Sequence, residues 1–237
     1  MQTESFEFPG PAGRLEAVLM RPEGAPVAAA VVCHAHPLQG GIMHFKVVFR
    51  AAKALQHEGV AALRFNFRGV GKSEGVHDHG RGEQDDVRSA LDQAERRFPG
   101  LPLVLGGFSF GSSMALRVGV ADERVRALFA LGFPASMVTD TSSTPHPTPP
   151  HVGGGERGRT SGPASSKLAR GRKSCLVVQG ERDELGPIER IRAMLESLPE
   201  PRTLVIVPQS DHFFTGHLDA LQDAVRAWAA RRPWESP

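Results

Sequence analysis

The sequence predicts an α/β fold in which helices cover both faces of a doubly wound, mostly parallel β-sheet. Short aliphatic runs rich in β-branched residues alternate along the chain with segments whose apolar residues recur at helical spacing. Parallel strands are buried on both faces and are therefore typically aliphatic in this way. With 237 residues the chain is long enough to bury a sizeable core, and we expect residues 1–237 to form a single domain.

The aliphatic runs predict eight strands, of which the first two, separated by Gly10 and Gly13, form an N-terminal hairpin. The predicted strands are residues 6–8, 15–20, 27–33, 60–67, 101–105, 127–131, 174–178 and 203–207. Helical spacing predicts five helices, over residues 47–55, 87–94, 112–120, 186–198 and 221–228, and Asp86 directly precedes the second of them. Gly59 ends the first of these helices, and Pro99 follows the second.

Composition and charge exclude several classes of protein. No run approaches the roughly 18 consecutive apolar residues that a membrane-spanning helix needs. Apolar residues make up 40% and charged residues 23%, close to the average of folded proteins. The 28 basic and 26 acidic side chains leave a formal charge of +2, too weak a field to gather nucleic acid or anionic lipid. We therefore expect a soluble protein that binds neither nucleic acid nor membranes.

The cysteines and the N-terminal residues bear on localisation. Cys33 and Cys175 lie inside apolar runs, where a thiol is typical of the core, and nothing in the sequence requires an oxidising compartment. The first ten residues are acidic and contain Pro9 and Gly10, so they lack the basic and apolar regions of a secretory signal. We expect a cytoplasmic protein.

Residues 139–172 interrupt the alternation of strands and helices. Of these 34 residues, 21 are Ser, Thr, Gly or Pro. Such a segment buries too little apolar area to offset the entropy of ordering it, so we expect a disordered insert. Six basic residues lie in it or next to it: Arg157, Arg159, Lys167, Arg170, Arg172 and Lys173. These residues favour either a contact with a polyanion or a solvated loop, and the second is our expectation.

A G-x-S-x-G motif follows the fifth predicted strand and leads directly into a helix. Its residues are Gly107, Phe108, Ser109, Phe110 and Gly111. A nucleophile elbow requires this context, because the sharp turn strains the central residue and leaves no room for Cβ atoms two positions to either side. The motif predicts Ser109 as a nucleophile. An ordinary glycine-rich turn is the structural alternative.

An acid and a histidine follow the last two predicted strands. A serine hydroxyl is a weak nucleophile unless an imidazole accepts its proton, and the imidazole needs a carboxylate to fix its tautomer. Asp183 follows the seventh strand and His212 the eighth, at the same sheet edge as Ser109. The order Ser, Asp, His is the one expected on this scaffold. The alternatives are a helix N-cap for Asp183 and a partly buried loop residue for His212.

The same chemistry needs backbone donors for the oxyanion of a tetrahedral intermediate. The N–H of Phe110, directly after Ser109, is one predicted donor. The loop after the third strand supplies the other, for which we predict Leu38. In this region His34, His36 and His44 suggest a metal site as an alternative, but no third well-spaced ligand accompanies the H-x-H pair, and we expect no metal.

Residues 66–73 contain a second motif, which ends in Gly-Lys-Ser like a phosphate-binding loop. That loop needs glycine where this chain has Asn66, and Gly69 lies too close to the lysine. The dinucleotide pattern fails as well, because Glu74 replaces its last glycine. We expect no nucleotide and no other cofactor here. Arg68 is expected to fix a loop rather than to touch substrate.

Together these motifs resemble those of the serine hydrolases of the α/β-hydrolase superfamily. The chain is most similar to small bacterial α/β hydrolases with an H-P loop, an R-F-N-F-R-G-x-G-x-S stretch, G-F-S-F-G and D-H-F-F. In this sequence they are residues 36–37, 64–73, 107–111 and 211–214. The resemblance implies Ser109 as nucleophile, His212 as base and Asp183 as acid.

The resemblance also implies the α/β-hydrolase fold and cleavage of an ester or related acyl bond in a small-molecule substrate, through an acyl-enzyme. Many relatives build a cap over the pocket from the region that corresponds to residues 139–172. This insert has no helical periodicity, so we expect a low-complexity segment in place of a cap. The alternative from another class is a non-catalytic binding protein with this fold.

Overall fold

The structure, a computed structural model, describes residues 2–135 and 173–235. The predicted insert at 139–172 lies outside the described residues. Within the described residues eight strands form one sheet in the order β1-β2-β4-β3-β5-β6-β7-β8. The strands are β1 Gln2–Gly10, β2 Gly13–Arg21, β3 Ala28–Cys33, β4 Val60–Phe65, β5 Leu103–Phe108, β6 Val125–Leu131, β7 Ser174–Gly180 and β8 Arg202–Val207.

Five helices and one short 3₁₀ turn, Pro37–Gln39, accompany the sheet in the same part of the chain. The helices are α1 Lys46–His57, α2 Gly82–Arg97, α3 Phe110–Gly119, α4 Ile188–Glu196 and α5 Leu218–Ala229. No helix among the described residues combines the length and the hydropathy that a membrane crossing requires.

Strand pairing confirms the predicted mostly parallel sheet. The hairpin strand β2 pairs antiparallel with β1 and with β4, whereas β3 to β8 are parallel to one another in every pairing that they make. Because the carboxyl ends of parallel strands meet at one edge, the segments after β3, β5, β7 and β8 open onto the same side of the molecule.

The sheet separates two hydrophobic cores, which confirms the doubly wound arrangement. Buried residues of α2, α3 and α4 pack on one face, with Leu91, Met114 and Ile191 among them. Buried residues of α1 and α5 pack on the other face, with Val47 and Trp228 among them. Helical apolar stripes therefore face the sheet from both sides, as the sequence pattern predicts.

The start of α2 differs from its prediction. We expected Asp86 to precede the helix, but α2 begins at Gly82 and contains Asp86 in its interior. Asp86 is fully buried and pairs with the Arg68 guanidinium at 2.7 Å. The apolar stripe starts only at Val87, so periodicity does not detect the polar first turn of α2.

Lys173 has a structural role that the sequence does not indicate, because it adjoins the basic residues of the predicted insert. Its Nζ donates to the carbonyl oxygens of Gly119, Val120 and Asp122 at 2.7, 3.1 and 2.7 Å. These carbonyls lie at the C-terminal end of α3, where a cation also interacts favourably with the helix dipole. Lys173 therefore fixes the end of α3 and does not belong to a solvated basic loop.

Candidate active site

The turn between β5 and α3 has the backbone strain of a nucleophile elbow. Ser109 lies in the left-handed region at φ 54° and ψ −122°. A Cβ on Gly107 would lie 2.7 Å from the carbonyl oxygens of Cys33 and Gly111, and one on Gly111 would lie 2.6 Å from that of Cys33. Only glycine permits this close approach of α3 to β3. The turn thus presents the Ser109 side chain at the carboxyl edge of the sheet.

Ser109, His212 and Asp183 are joined by hydrogen bonds at that edge. His212 Nε2 lies 2.9 Å from Ser109 Oγ, and His212 Nδ1 donates to Asp183 Oδ2 at 2.8 Å. The three residues follow β5, β7 and β8, so the parallel sheet brings them together from distant parts of the chain. Each separation lies within the range that proton transfer between a nucleophile and a positioned base requires.

Burial distinguishes Asp183 from the neighbouring acids. Asp183 is only 3% exposed, whereas Glu181 and Glu184 are exposed to solvent. Asp183 Oδ1 accepts hydrogen bonds from the N–H groups of Leu185 and Gly186 at 2.9 and 3.1 Å. The predicted alternative, an N-cap of α4, is not what the structure has, because Pro187 occupies that position.

Gln179 is a residue of the site that the sequence analysis missed. It is fully buried at the end of β7, and its side-chain amide donates to Asp183 Oδ2, the oxygen that also accepts from His212, at 2.7 Å. Its Oε1 accepts from the N–H of Phe133 at 2.9 Å, and its Nε2 also donates to the Gly186 carbonyl at 3.0 Å. A polar residue directly after the apolar run of residues 175–178 was the available signal.

These contacts predict a positioning role for Gln179. Gln179→Leu leaves the buried Phe133 N–H and one Asp183 lone pair without partners, at about 1–3 kcal/mol for each buried group. We expect a lower melting temperature and about a tenfold lower kcat/KM for ester hydrolysis, measured by thermal unfolding and initial rates.

The substitution Gln179→Glu tests the positioning role apart from packing, because glutamate has nearly the same size as glutamine. Glutamate keeps an acceptor for the Phe133 N–H but replaces the donor to Asp183 Oδ2 with a second carboxyl oxygen, and two buried carboxyls this close share one proton. The shared proton weakens the hydrogen bond from His212 to Asp183 and adds an ionisation beside the imidazole, so the pH profile of kcat/KM should change. An unchanged pH profile would contradict the positioning role, whatever happens to stability.

The two predicted oxyanion donors differ in their surroundings. Phe110 is the first residue of α3, so its N–H has no acceptor within the helix and lies at the positive end of the helix dipole. Leu38 lies in the 3₁₀ turn and is 70% exposed as a residue, and its N–H donates to Nδ1 of His36 at 3.2 Å. The Leu38 N–H can donate to an oxyanion only after its hydrogen bond to His36 Nδ1 is broken.

His34 fixes the loop that follows β3. Its Nδ1 donates to the Ala35 carbonyl at 2.7 Å and its Nε2 accepts from the Phe67 N–H at 3.0 Å, so both ring nitrogens are occupied. The residue is fully buried, and burial lowers its pKa from 6.5 to about 4. His34 is therefore a neutral structural residue that ties β3 to the segment after β4.

This lowered pKa predicts a pH dependence of stability. The unfolded chain protonates His34 below about pH 6.5, whereas the folded chain resists protonation down to about pH 4. The free energy of unfolding should therefore decrease as pH falls through this window, by about 3 kcal/mol from this residue. Urea unfolding at several pH values should find a shallower dependence in His34→Gln than in the wild type. The same slope in both proteins would contradict the assignment, and His57→Gln, on the exposed end of α1, is the control.

The metal site considered for His34, His36 and His44 lacks a suitable ligand set. His34 has no free ring nitrogen, and His44 is exposed. Across residues 2–135 and 173–235 no group of three His, Cys, Asp or Glu side chains is arranged to hold a metal ion.

His36 and His77 instead pack against each other and against Phe110, the residue after Ser109. The ring centroid of His36 lies 4.9 Å from that of His77 and 5.0 Å from that of Phe110. Burial and the neighbouring His77 lower the pKa of His36. His77 Nδ1 lies 2.9 Å from the buried carboxylate of Glu83.

The stretch 64–73 supports the loop that carries Leu38. Asn66 Oδ1 accepts from the Met43 N–H at 2.8 Å, and Arg64 donates to the Met43 carbonyl at 2.7 Å. The pair thus holds both polar groups of the Met43 backbone. Arg68 is bound to Asp86 of α2, so it fixes a loop as the sequence predicts.

Fold and site define an α/β hydrolase with a serine at the strand-to-helix turn. A family model described as serine aminopeptidase, S33, matches residues 25–151, which include Ser109 but neither Asp183 nor His212. The chain belongs to this family. The resemblance to serine hydrolases of the α/β-hydrolase superfamily is thereby confirmed.

Two solved structures are similar over nearly the whole chain. An α/β serine hydrolase homologue from Coxiella burnetii is 32% identical, with a TM-score of 0.77, and the match covers 96% of this chain and 97% of that one. A protein from Xanthomonas campestris, described as an α/β serine hydrolase without a lid, is 33% identical, with a TM-score of 0.78, and the match covers 100% and 97% of the two chains.

One curated relative is similar over a shorter stretch. An uncharacterized protein from Rickettsia prowazekii (strain Madrid E) is 38% identical over 133 residues, which are 55% of this chain and 56% of the relative. The aligned part of the chain thus spans about half the length of this relative.

Proposed function

We propose that this chain is a serine hydrolase that cleaves a carboxylic ester or a related acyl bond of a small molecule through an acyl-enzyme. The observation that carries the proposal is the continuous hydrogen-bond chain from Ser109 Oγ through His212 to Asp183, with Ser109 in a strained turn. Strain of this kind persists only where the surroundings enforce it, and it is concentrated at functional positions.

Acylation uses all three side chains. Ser109 Oγ attacks the carbonyl carbon while its proton passes to His212 Nε2, and the carbonyl oxygen becomes an oxyanion. The N–H of Phe110 stabilises this oxyanion, together with that of Leu38 once it leaves His36. The bond from carbon to the leaving oxygen then breaks, and His212 returns the proton to that oxygen. The products are an alcohol and the Ser109 ester.

Deacylation repeats the sequence with water as nucleophile. His212 Nε2 takes a proton from the water as its oxygen attacks the acyl carbon, and a second oxyanion forms in the same place. Collapse of this intermediate breaks the bond to Ser109 Oγ, which recovers the proton from His212. A carboxylic acid leaves, and every step uses only groups of the chain and water, without a cofactor.

Labelling by a fluorophosphonate probe tests the proposal directly. The probe phosphonylates an activated serine, so we expect the wild-type chain to be labelled and Ser109→Ala to be unlabelled. Ser113→Ala is the matched control, because Ser113 is buried four residues further along the same helix and its Oγ has no hydrogen-bond partner. Labelling that survives in Ser109→Ala would overturn the nucleophile. A panel of p-nitrophenyl esters of increasing chain length then defines the acyl group.

A further inference from the structure

Two phenylalanine rings pack against His212, and a third packs against those two. The centroid of the His212 ring lies 5.2 Å from that of Phe108 and 5.2 Å from that of Phe213. Phe45 stacks on Phe108 at 5.5 Å and lies 6.1 Å from Phe213. Phe45, Phe108 and Phe213 therefore form a continuous aromatic cluster, which we name the aromatic wall; Phe108 is fully buried within it, and Phe213 is its exposed member.

Phe213 is the member of the aromatic wall that is most exposed to solvent. Its residue surface is 52% exposed, although it contacts three other rings, whereas the following Phe214 is fully buried in the core. Phe214 has φ 54°, a conformation that is rare for a bulky residue. This strained backbone sends one phenylalanine into the core and keeps the other at the surface beside His212.

The position of the aromatic wall beside His212 indicates which part of a substrate it contacts. His212 Nε2 must protonate the leaving oxygen during acylation, so that oxygen comes within hydrogen-bond distance of the imidazole. The atoms bonded to it therefore lie close to the imidazole, and Phe213 is the exposed ring that packs edge-on against that imidazole, at an interplanar angle of 84°. The acyl group is attached to the opposite side of the reacting carbon and extends away from His212.

We propose that the aromatic wall is the leaving-group subsite and that it selects esters of aromatic or similarly large apolar alcohols, an inference that rests on the proposed function. Phenylalanine rings provide no hydrogen bond, so the alcohol is recognised through apolar area and ring-to-ring contact. Phe213 is the specificity-determining residue, because it is the member of the wall with a large free surface.

Paired acetates test the subsite by kinetics. Acetates of β-naphthol and of trifluoroethanol share the acyl group and differ in the leaving group. The ratio of their kcat/KM values should fall about tenfold in Phe213→Ala, the size expected for losing one aromatic contact and its buried area. Comparing the same two esters in both proteins cancels their intrinsic reactivities. Phe49→Ala is the matched control, since Phe49 is 39% exposed but packs on the Arg64 guanidinium.

A second pair of esters distinguishes the leaving group from the acyl group. Trifluoroethyl acetate and trifluoroethyl hexanoate differ only in the acyl chain, and their ratio should stay the same in Phe213→Ala. Deacylation takes place after the alcohol has left, so its rate constant in a burst experiment should also be unaffected. A change in the acyl ratio with a constant leaving-group ratio would assign Phe213 to the acyl group and overturn the proposal. Two unchanged ratios would overturn it as well.

Binding of the alcohol alone tests the subsite without catalysis. Titration of β-naphthol, followed by its fluorescence, should yield about a tenfold weaker Kd in Ser109→Ala/Phe213→Ala than in Ser109→Ala/Phe49→Ala. Equal Kd values would overturn the subsite. If the wild type hydrolyses no ester but the two Kd values differ, the proposed reaction fails and the aromatic site remains, so the two failures are distinguishable.

Discussion

Replacing Ser109 or His212 by alanine should lower kcat/KM for ester hydrolysis by about a million-fold, because the nucleophile and its base act as one unit. Ser109→Ala removes the attacking oxygen. His212→Ala leaves the hydroxyl without an acceptor for its proton, since Nε2 is the group that lies 2.9 Å from Ser109 Oγ. The double variant should be no slower than either single variant, because neither residue accelerates the reaction without the other.

Initial rates with p-nitrophenyl acetate measure this effect. Thermal unfolding should show both variants folded, because the loss of one half-buried hydroxyl or one imidazole at the edge of the sheet leaves both cores intact. Ser113→Ala and His57→Ala are the matched controls, and wild-type rates are expected for both. Turnover within tenfold of wild type in either test variant would remove that residue from the proposed mechanism.

The sheet and the placement of the three chemical groups could be predicted from local sequence features. Aliphatic runs mark the strands, and glycines at 107 and 111 mark the sharp turn around Ser109. Parallel strands have their carboxyl ends on one edge, so the positions of Asp183 and His212 after two such strands already imply that they lie near Ser109. Only the distances between their atoms required the structure.

The supporting contacts could not be predicted, because they join residues that are distant in sequence. Asp86 seemed to precede α2, but it lies inside the helix, where it pairs with Arg68 of the segment after β4. His34 suggested a metal ligand because it belongs to an H-x-H pair, whereas its Nε2 in fact accepts from the Phe67 N–H, a contact that depends on how β3 and β4 pack. Gln179 belongs to the same class: its amide bridges the end of β6 and the loop that holds Asp183.

Asp183→Asn should lower kcat/KM by about ten-thousand-fold, the loss expected when the imidazole is held in the wrong tautomer. Four hydrogen-bond donors surround the Asp183 carboxylate: His212 Nδ1, Gln179 Nε2 and the N–H groups of Leu185 and Gly186. A carboxylate accepts from all of them, whereas an asparagine must direct its own donor at one side. If that NH₂ faces His212, Nδ1 becomes an acceptor, the ring proton moves to Nε2, and Nε2 can no longer take the proton of Ser109.

The reverse orientation of the asparagine places its NH₂ against the two backbone N–H groups, which disturbs the loop instead. Both orientations therefore impair the site, and pH-rate profiles with thermal unfolding should find the loss in activity to be much larger than the loss in stability. Glu181→Gln and Glu184→Gln make the same chemical change on exposed neighbours and should retain nearly full activity. If Glu184→Gln were the most damaging of the three, the acid of the mechanism would be Glu184, because only the residue that orients His212 controls its tautomer.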